Sequence, residues 1–112
     1  MQVKETIVDG NLVIQILEAR LGADKAEAFK QTLGQYPQAG NRRLILDLSQ
    51  VEFIDSSGLG AIFSLRKQLG DDGELIIFGA TEPVTDMFKL TRMDRVFAIY
   101  QTLKEALATS AR

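Results

Sequence analysis

Two short apolar runs open the chain and predict a β-hairpin. Residues 3–8 and 12–17 are rich in Val, Ile and Leu, and only a short polar stretch containing Asp9 and Gly10 separates them. An Asp-Gly pair tolerates the positive φ angles of a tight turn, so we expect the two strands to pair antiparallel. The second run has apolar residues on both of its faces, which is typical of a strand buried on both sides.

The pattern then changes to a helical period. Asp24 is predicted to be the N-cap, with Glu27 three positions later in a variant of the capping box. The apolar residues that follow at helical spacing are Ala26, Phe29 and Leu33. Gly34, Pro37 and Gly40 are predicted to end this helix, because glycine and proline disfavour its continuation.

Three later apolar runs, at residues 44–48, 75–78 and 96–100, predict further strands, and the first is expected to extend through residues 51–54. Amphipathic stretches between and after these runs predict helices. Strands that alternate with helices through short connections form right-handed crossovers and pair in parallel. The sequence therefore predicts an α/β fold of order ββαβαβαβα, with a mixed sheet, an N-terminal hairpin and helices packed on the sheet.

Composition limits the function more than the fold. A chain of 112 residues is expected to form a single domain, residues 1–112. The net charge is 13 − 15 = −2 with both signs interspersed, which argues against a nucleic-acid binder that neutralises phosphates. The chain has no Cys and no His, so thiolate metal sites, cysteine nucleophiles and Ser-His-Asp triads are excluded.

The sequence also argues against a membrane or secreted protein. No apolar run approaches the roughly 20 residues needed to cross a bilayer, and the first residues lack the pattern of a signal peptide. We therefore expect a cytoplasmic protein that binds no membrane and holds no cofactor or metal of its own.

One segment after the strand of residues 51–54 contains the candidate chemistry. Its residues are Asp55, Ser56, Ser57, Gly58, Leu59 and Gly60. A serine at a helix N-cap would accept a hydrogen bond from the first turn. Two glycines in a first turn cost about 1 kcal/mol each relative to Ala, so they are expected to provide a special backbone angle or a close approach for another molecule. This clustering, at the carboxyl end of a strand, favours a functional site over an ordinary helix start.

Residues 44–60 resemble the signature of the anti-sigma factor antagonists, which are small bacterial members of the STAS domain family. The resemblance extends over nearly the whole chain, including the last strand and helix. It implies that the unphosphorylated protein binds an anti-sigma factor that is also a serine kinase, and so frees a sigma factor. The kinase would phosphorylate the second serine, Ser57, and abolish binding, and a serine phosphatase would restore it. ATP and magnesium would belong to the kinase.

The resemblance also implies a partner-binding surface, with the region of Gly58 and Leu59 at its dry centre. Its predicted members are Asp24, Asp55, Ser56, Ser57, Gly58, Leu59 and Gly60. Asp55 is expected to fix the turn or to orient the serine hydroxyl. Many relatives have an acidic residue directly after the leucine at position 21, where this chain has Gly22, so the role would pass to Asp24.

Two other functions fit the same residues less well. A STAS-domain accessory subunit of a transporter, of a lipid-transport assembly or of a signalling scaffold would keep the fold but would not need a kinase substrate motif. A hydrolase with Ser57 as its nucleophile would need a base, and only carboxylates and lysines are available. The sequence favours a regulatory binding protein, not an enzyme, that is monomeric when free.

Overall fold

After the initial hairpin the chain alternates strands and helices, in the order that the sequence predicts. The computed structural model describes the backbone of residues 1–110 and the side chains of residues 1–108. The strands are β1 (Val3–Val8), β2 (Asn11–Ile16), β3 (Arg20–Leu21), β4 (Arg43–Asp47), β5 (Phe53–Ile54), β6 (Glu74–Phe78) and β7 (Ala98–Tyr100). The helices are α1 (Ala23–Gln38), α2 (Ser56–Leu69), α3 (Glu82–Leu90) and α4 (Leu103–Ser110), and a 3₁₀ turn spans Met93–Arg95.

Five strands form one mixed sheet in the order β1-β2-β4-β6-β7. The β1–β2 pair is antiparallel and the other three pairings are parallel. Asp9 and Gly10 have φ angles of 51° and 79°, so both residues of the hairpin turn occupy the left-handed region that such a turn requires. The predicted mixed sheet with an N-terminal hairpin is confirmed.

The helices divide unequally between the two faces of the sheet. Helices α1, α2 and α3 cover one face and enclose the larger apolar core, which includes Phe29, Ile62 and Phe88. On the other face, α4 covers a smaller cluster in which Ala106 contacts Ile45 and its neighbours. The crossovers that precede β4, β6 and β7 all run over the first face, as expected for right-handed connections that proceed in one direction across a sheet.

The first helix begins earlier and ends later than its sequence predicts. Its N-cap is Gly22, so the prediction that Asp24 caps the helix is wrong, and Asp24 lies in the first turn instead. Gly34 lies inside the helix and is buried against α2, where a methyl group would lie 3.1 Å from the side-chain oxygen of Gln68. Gly34 therefore leaves room for the side chain of Gln68 and does not end the helix. Pro37 lies in the last turn, so the hydrogen bond that its missing N–H cannot donate is one of the last of the helix.

The predicted extension of the third strand is also wrong. β4 ends at Asp47, whose Oδ1 accepts a hydrogen bond from the N–H of Ser49 at 2.8 Å, and the chain turns. Residues 53 and 54 then form β5, which pairs in parallel with β3 in a separate two-stranded sheet. Similarly, the strand expected at residues 96–100 begins at Ala98, because the N–H groups of Val96 and Phe97 donate to the carbonyl of Met93 in the 3₁₀ turn.

One guanidinium group satisfies the ends of two helices. Arg42 donates to the carbonyl of Pro37 in α1 at 2.8 Å and to the carbonyl of Leu69 at the end of α2 at 3.2 Å. Both carbonyls belong to the last helical turns, where carbonyl groups lack intrahelical partners, and that of Pro37 also accepts a hydrogen bond from the N–H of Gly40 at 3.0 Å. Arg42 therefore holds the two helices together at the end of the molecule opposite to their N-termini.

Replacing Arg42 should destabilise the fold. We expect Arg42→Ala to lower the free energy of unfolding by about 2 kcal/mol, because two carbonyls lose a charged donor. The free energy of unfolding of Arg42→Lys should lie between those of Arg42→Ala and the wild type, because the ammonium group of lysine lacks the forked geometry of a guanidinium group. Urea denaturation measures both values. Arg66→Ala, which removes an exposed arginine from the last turn of α2, is the matched control and should change stability by only a few tenths of a kcal/mol.

Candidate functional site

A single carboxylate joins the N-termini of two helices. Asp55 is the N-cap of α2, and its Oδ1 accepts a hydrogen bond from the N–H of Gly58 at 3.0 Å. Its Oδ2 accepts from the N–H of Ala23, the first residue of α1, at 3.2 Å. The cap is thus Asp55 and not a serine. Because both carboxylate oxygens accept from backbone N–H groups, Asp55 fixes the turn, which was one of the two roles expected of it.

The two serines are the first two residues of α2, and both are exposed. The N–H of Gly58 is satisfied by Asp55. Within the described part of the chain, no group accepts a hydrogen bond from the N–H of Ser56 or Ser57. The first turn therefore presents free N–H groups and the positive end of the helix dipole beside the hydroxyl of Ser57.

The glycines of the segment serve different purposes. Neither has a positive φ angle. Gly58 is buried, and a methyl group there would collide with the carbonyl oxygen of Leu21 and with the side chain of Ile54. Gly60 is exposed and faces open space. The close approach expected from the sequence is therefore made at Gly58 by the chain itself, and only Gly60 leaves the backbone open to another molecule.

Leu59 does not belong to the surface. Its side chain is only 2% exposed and is part of the main core. The expectation that Gly58 and Leu59 form the dry centre of a docking surface does not agree with these positions, because neither presents a side chain to solvent. Their contribution is to anchor the first turn of α2, so that Ser56, Ser57 and Gly60 are held outward.

Asp24 lies near Asp55 and the first turn of α2. Asp24 is exposed in the first turn of α1. A methyl group at Gly22 would lie 3.0 Å from Oδ2 of Asp55 and 3.6 Å from Oδ1 of Asp24. The two carboxylates therefore flank Gly22, and Asp24 and the exposed site residues of α2 form one surface at the adjoining helix N-termini.

One feature of this surface is absent from the sequence prediction. The guanidinium carbon of Arg20 lies 4.1 Å from the centroid of the Phe53 ring, and Phe53 is 37% exposed. The edge of the same ring, at Cε2, would lie 3.4 Å from a methyl group at Gly22. The stack is therefore next to the carboxylates of Asp24 and Asp55. Sequence reasoning could not find it, because the two residues meet only through the β3–β5 pairing.

Other kinds of site receive no support from the described residues. No group of three or more Asp or Glu side chains within residues 1–110 is placed to hold a metal ion. None of the described helices is both long and apolar enough to span a bilayer. A cavity of about 550 Å³ lies between α3 and β7, where Thr85, Phe88 and Tyr100 contribute to its walls, and none of the predicted site residues lines it.

Comparison with known proteins places this geometry in a family. The model of the STAS domain matches residues 3–106. A Thermotoga maritima protein whose name describes it as a candidate anti-sigma factor antagonist is 33% identical over 103 residues, which cover 90% of each chain. The anti-sigma-B factor antagonist of Listeria monocytogenes is 29% identical over 80 residues, 70% of each chain.

Solved structures of similar proteins have the same fold as this chain. The crystal structure of the Thermotoga maritima protein superposes with a TM-score of 0.85 at 30% identity, covering 98% of this chain and 95% of that one. The antagonist SpoIIAA has been solved unphosphorylated, with a TM-score of 0.79 and coverage of 98% and 96%. Its phosphorylated form, from Bacillus, has a TM-score of 0.70 and coverage of 97% and 99%. Both SpoIIAA structures are 18% identical to this chain, so they show the shared fold alone.

The two glycines of α2 should respond oppositely to a methyl group. Gly58→Ala should lower the free energy of unfolding by about 1–3 kcal/mol, because a backbone carbonyl must move. Gly60→Ala should raise it by up to about 1 kcal/mol, because alanine favours the helix and the space is open. Urea denaturation of the two variants checks this. Equal effects of the same sign would contradict the packing described for Gly58.

The carboxylate of Glu18 should make stability depend on acid pH. The N–H of Gln2 donates to Glu18 at 2.9 Å and Lys25 pairs with it at 3.2 Å; these contacts, the backbone bond first, lower the pKa of Glu18 against the opposing effect of burial. The folded-state pKa is then below the unfolded value of about 4.3, so the stabilisation is present above that pH and is lost as the pH falls through the folded pKa.

We therefore expect the difference in free energy of unfolding between the wild type and Glu18→Gln to have its full value at pH 6 and to decrease steadily towards pH 3. Thermal melts across that range measure it. Lys25→Gln keeps the backbone bond, which is the largest single cause of the lowered pKa of Glu18, so the stability of this variant should still fall between pH 6 and pH 3, but by less than that of the wild type. A difference that does not change with pH would contradict the assignment.

Proposed function

The chain belongs to the STAS domain family of anti-sigma factor antagonists, and on this premise we propose that it works by partner switching. Its unphosphorylated form binds an anti-sigma factor that is also a serine kinase, and the sigma factor is released. The kinase then phosphorylates Ser57 and the complex separates. The family is one of binding proteins rather than enzymes, so Ser57 is a substrate of the partner and not a nucleophile of this chain.

The exposed hydroxyl of Ser57 at the start of α2 is the observation that carries this proposal. It lies on the surface, so a kinase active site has access to it. It also lies beside free N–H groups at the positive end of a helix, where phosphate is well accommodated. The free protein can therefore carry the modification without losing its fold.

The same phosphate disfavours the complex. It adds about −1.5 to −2 charges to a chain of net charge −2, at the exposed first turn of α2. Docking would remove that charge from water, and an unpaired charge in an interface costs several kcal/mol. The surrounding surface is contributed by Asp24, Asp55, Ser56 and Gly60. Beneath it, Gly58 and Leu59 are buried and anchor the first turn of α2.

The partners follow from this scheme. The anti-sigma factor kinase supplies ATP and magnesium, and a serine phosphatase regenerates the binding form. The protein acts in the cytoplasm as a monomer between binding events and contacts neither nucleic acid nor membrane. The solved SpoIIAA structures support the scheme at the level of the fold, because that fold exists in both unphosphorylated and phosphorylated forms. An accessory role in a transporter, lipid-transport or scaffold assembly has only the shared fold in its favour.

Phosphorylation by the purified anti-sigma factor kinase of the same genome tests the proposal. Incubation with ATP should add one phosphate, which mass spectrometry of peptides locates at Ser57. Ser57→Ala should remain unmodified and still bind the kinase, whereas the phosphorylated protein should bind at least 100-fold more weakly, as several kcal/mol implies. Ser56→Ala is the matched control and should be phosphorylated as the wild type is. Equal affinity of the modified and unmodified proteins would refute the switch.

A further inference from the structure

We infer that Arg20, stacked on Phe53, is a specificity-determining contact of this surface that binds a carboxylate of the partner protein. The inference rests on the proposed function, because it concerns the same docking surface. It adds a residue that the family signature of residues 44–60 does not contain, and it states the chemistry of the group that the partner must present.

The stack is held rigidly from both sides. Arg20 and Phe53 are direct partners in the parallel pairing of β3 with β5. The carbonyl of Ala19 accepts hydrogen bonds from the N–H groups of Glu52 and Phe53, at 2.7 and 3.1 Å. Just before Ala19, Glu18 is tied to the N-terminal segment and to α1. Both backbones are therefore fixed, so only side-chain freedom remains to be lost when a partner binds.

The guanidinium group of Arg20 is available to such a partner. Arg20 is exposed, and no carboxylate in the described part of the chain forms an ion pair with it. The neighbouring carboxylate of Asp55 already accepts two backbone hydrogen bonds. One planar face of the guanidinium lies on the aromatic ring, so the N–H groups on its edges point away from the ring and are free to donate.

The chemistry of that group selects a carboxylate. An arginine held flat presents parallel N–H donors at the spacing of carboxylate oxygens, and such paired hydrogen bonds are stronger and more directional than those of lysine. Arg20 is also the only cationic residue in the two segments that build the surface, residues 18–24 and 51–60. The next cation along the chain, Lys25 in the first turn of α1, already pairs with the carboxylate of Glu18 at 3.2 Å, so Arg20 is the cation left for an acidic side chain of the partner.

The contact also connects to the switch. Phe53 and Asp55 both lie against Gly22, so the stack is next to the first turn of α2. A phosphate on Ser57 would place negative charge on the surface that the partner carboxylate approaches. The carboxylate that strengthens docking of the unmodified protein would thus be repelled by the modified one.

Affinity measurements by calorimetry with the purified anti-sigma factor kinase test this contact. Arg20→Ala should weaken binding of the unphosphorylated protein by about 30-fold, the size expected of an interface hot spot. Arg20→Lys should weaken binding by about tenfold, because lysine lacks the forked N–H donors of the guanidinium group. Phe53→Leu should weaken binding by a similar factor, because the guanidinium group loses the ring that orients it. Arg66→Ala and Leu90→Ala, which remove an exposed arginine and the 78%-exposed Leu90, are matched controls and should bind within twofold of the wild type.

A second set of variants identifies the partner group. Each exposed Asp and Glu of the kinase is changed in turn to Asn or Gln, and one of these changes should weaken binding of the wild type but add little to the effect of Arg20→Ala. Thermal melts of every variant show that the fold is retained. Binding of Arg20→Ala within twofold of the wild type, or additive effects for every partner carboxylate, would overturn the inference. Failure of the wild type itself to bind the kinase would instead overturn the proposed function.

Discussion

The geometry of the surface depends on the carboxylate of Asp55. A helix N-terminus leaves several N–H groups without partners, and two such ends meet here. Asp55 accepts one hydrogen bond from the first turn of α2 and one from the first residue of α1. Through a hydrogen bond to Ala23, which is 32 residues away in the chain, it joins the two helix starts into one rigid corner. The carboxylate is also favourably placed near the positive ends of both helix dipoles.

Close packing beneath this corner determines which residues remain on the surface. The absence of a side chain at Gly58 lets α2 approach the carbonyl of Leu21, and Leu59 fills the core next to it. With these two positions directed inward, the helical period turns Ser57 and Gly60 outward. The exposed serine is therefore a consequence of the packing of its neighbours, and its position does not rely on hydrogen bonds of its own hydroxyl.

The sequence predicts local structure well and long-range contacts poorly. The Asp9-Gly10 turn, the order of the elements and the place of the serines follow from period and turn chemistry, which are properties of neighbouring residues. Gly34 looks like a helix end but lies inside α1 against Gln68 of α2, and Arg42 caps two helices although nothing in the neighbouring sequence indicates this contact. The β3–β5 pair has two residues in each strand, too few to leave a periodic signal, so the stack of Arg20 on Phe53 was not predictable.

A rigid corner has a consequence for the proposed switch. Since Asp55, Gly58 and Leu59 are engaged within the chain, a phosphate on Ser57 would have no loop to rearrange, and it would lie beside the free N–H groups of the first turn. The helix end stabilises that phosphate in the free protein by about 0.3–1 kcal/mol, whereas taking it out of water in a complex costs several kcal/mol. Both terms favour the separated state of the modified protein. Each 1.4 kcal/mol is a factor of ten in affinity, so under the proposed switch a phosphate on one hydroxyl would be sufficient for release without an alternative fold of this chain.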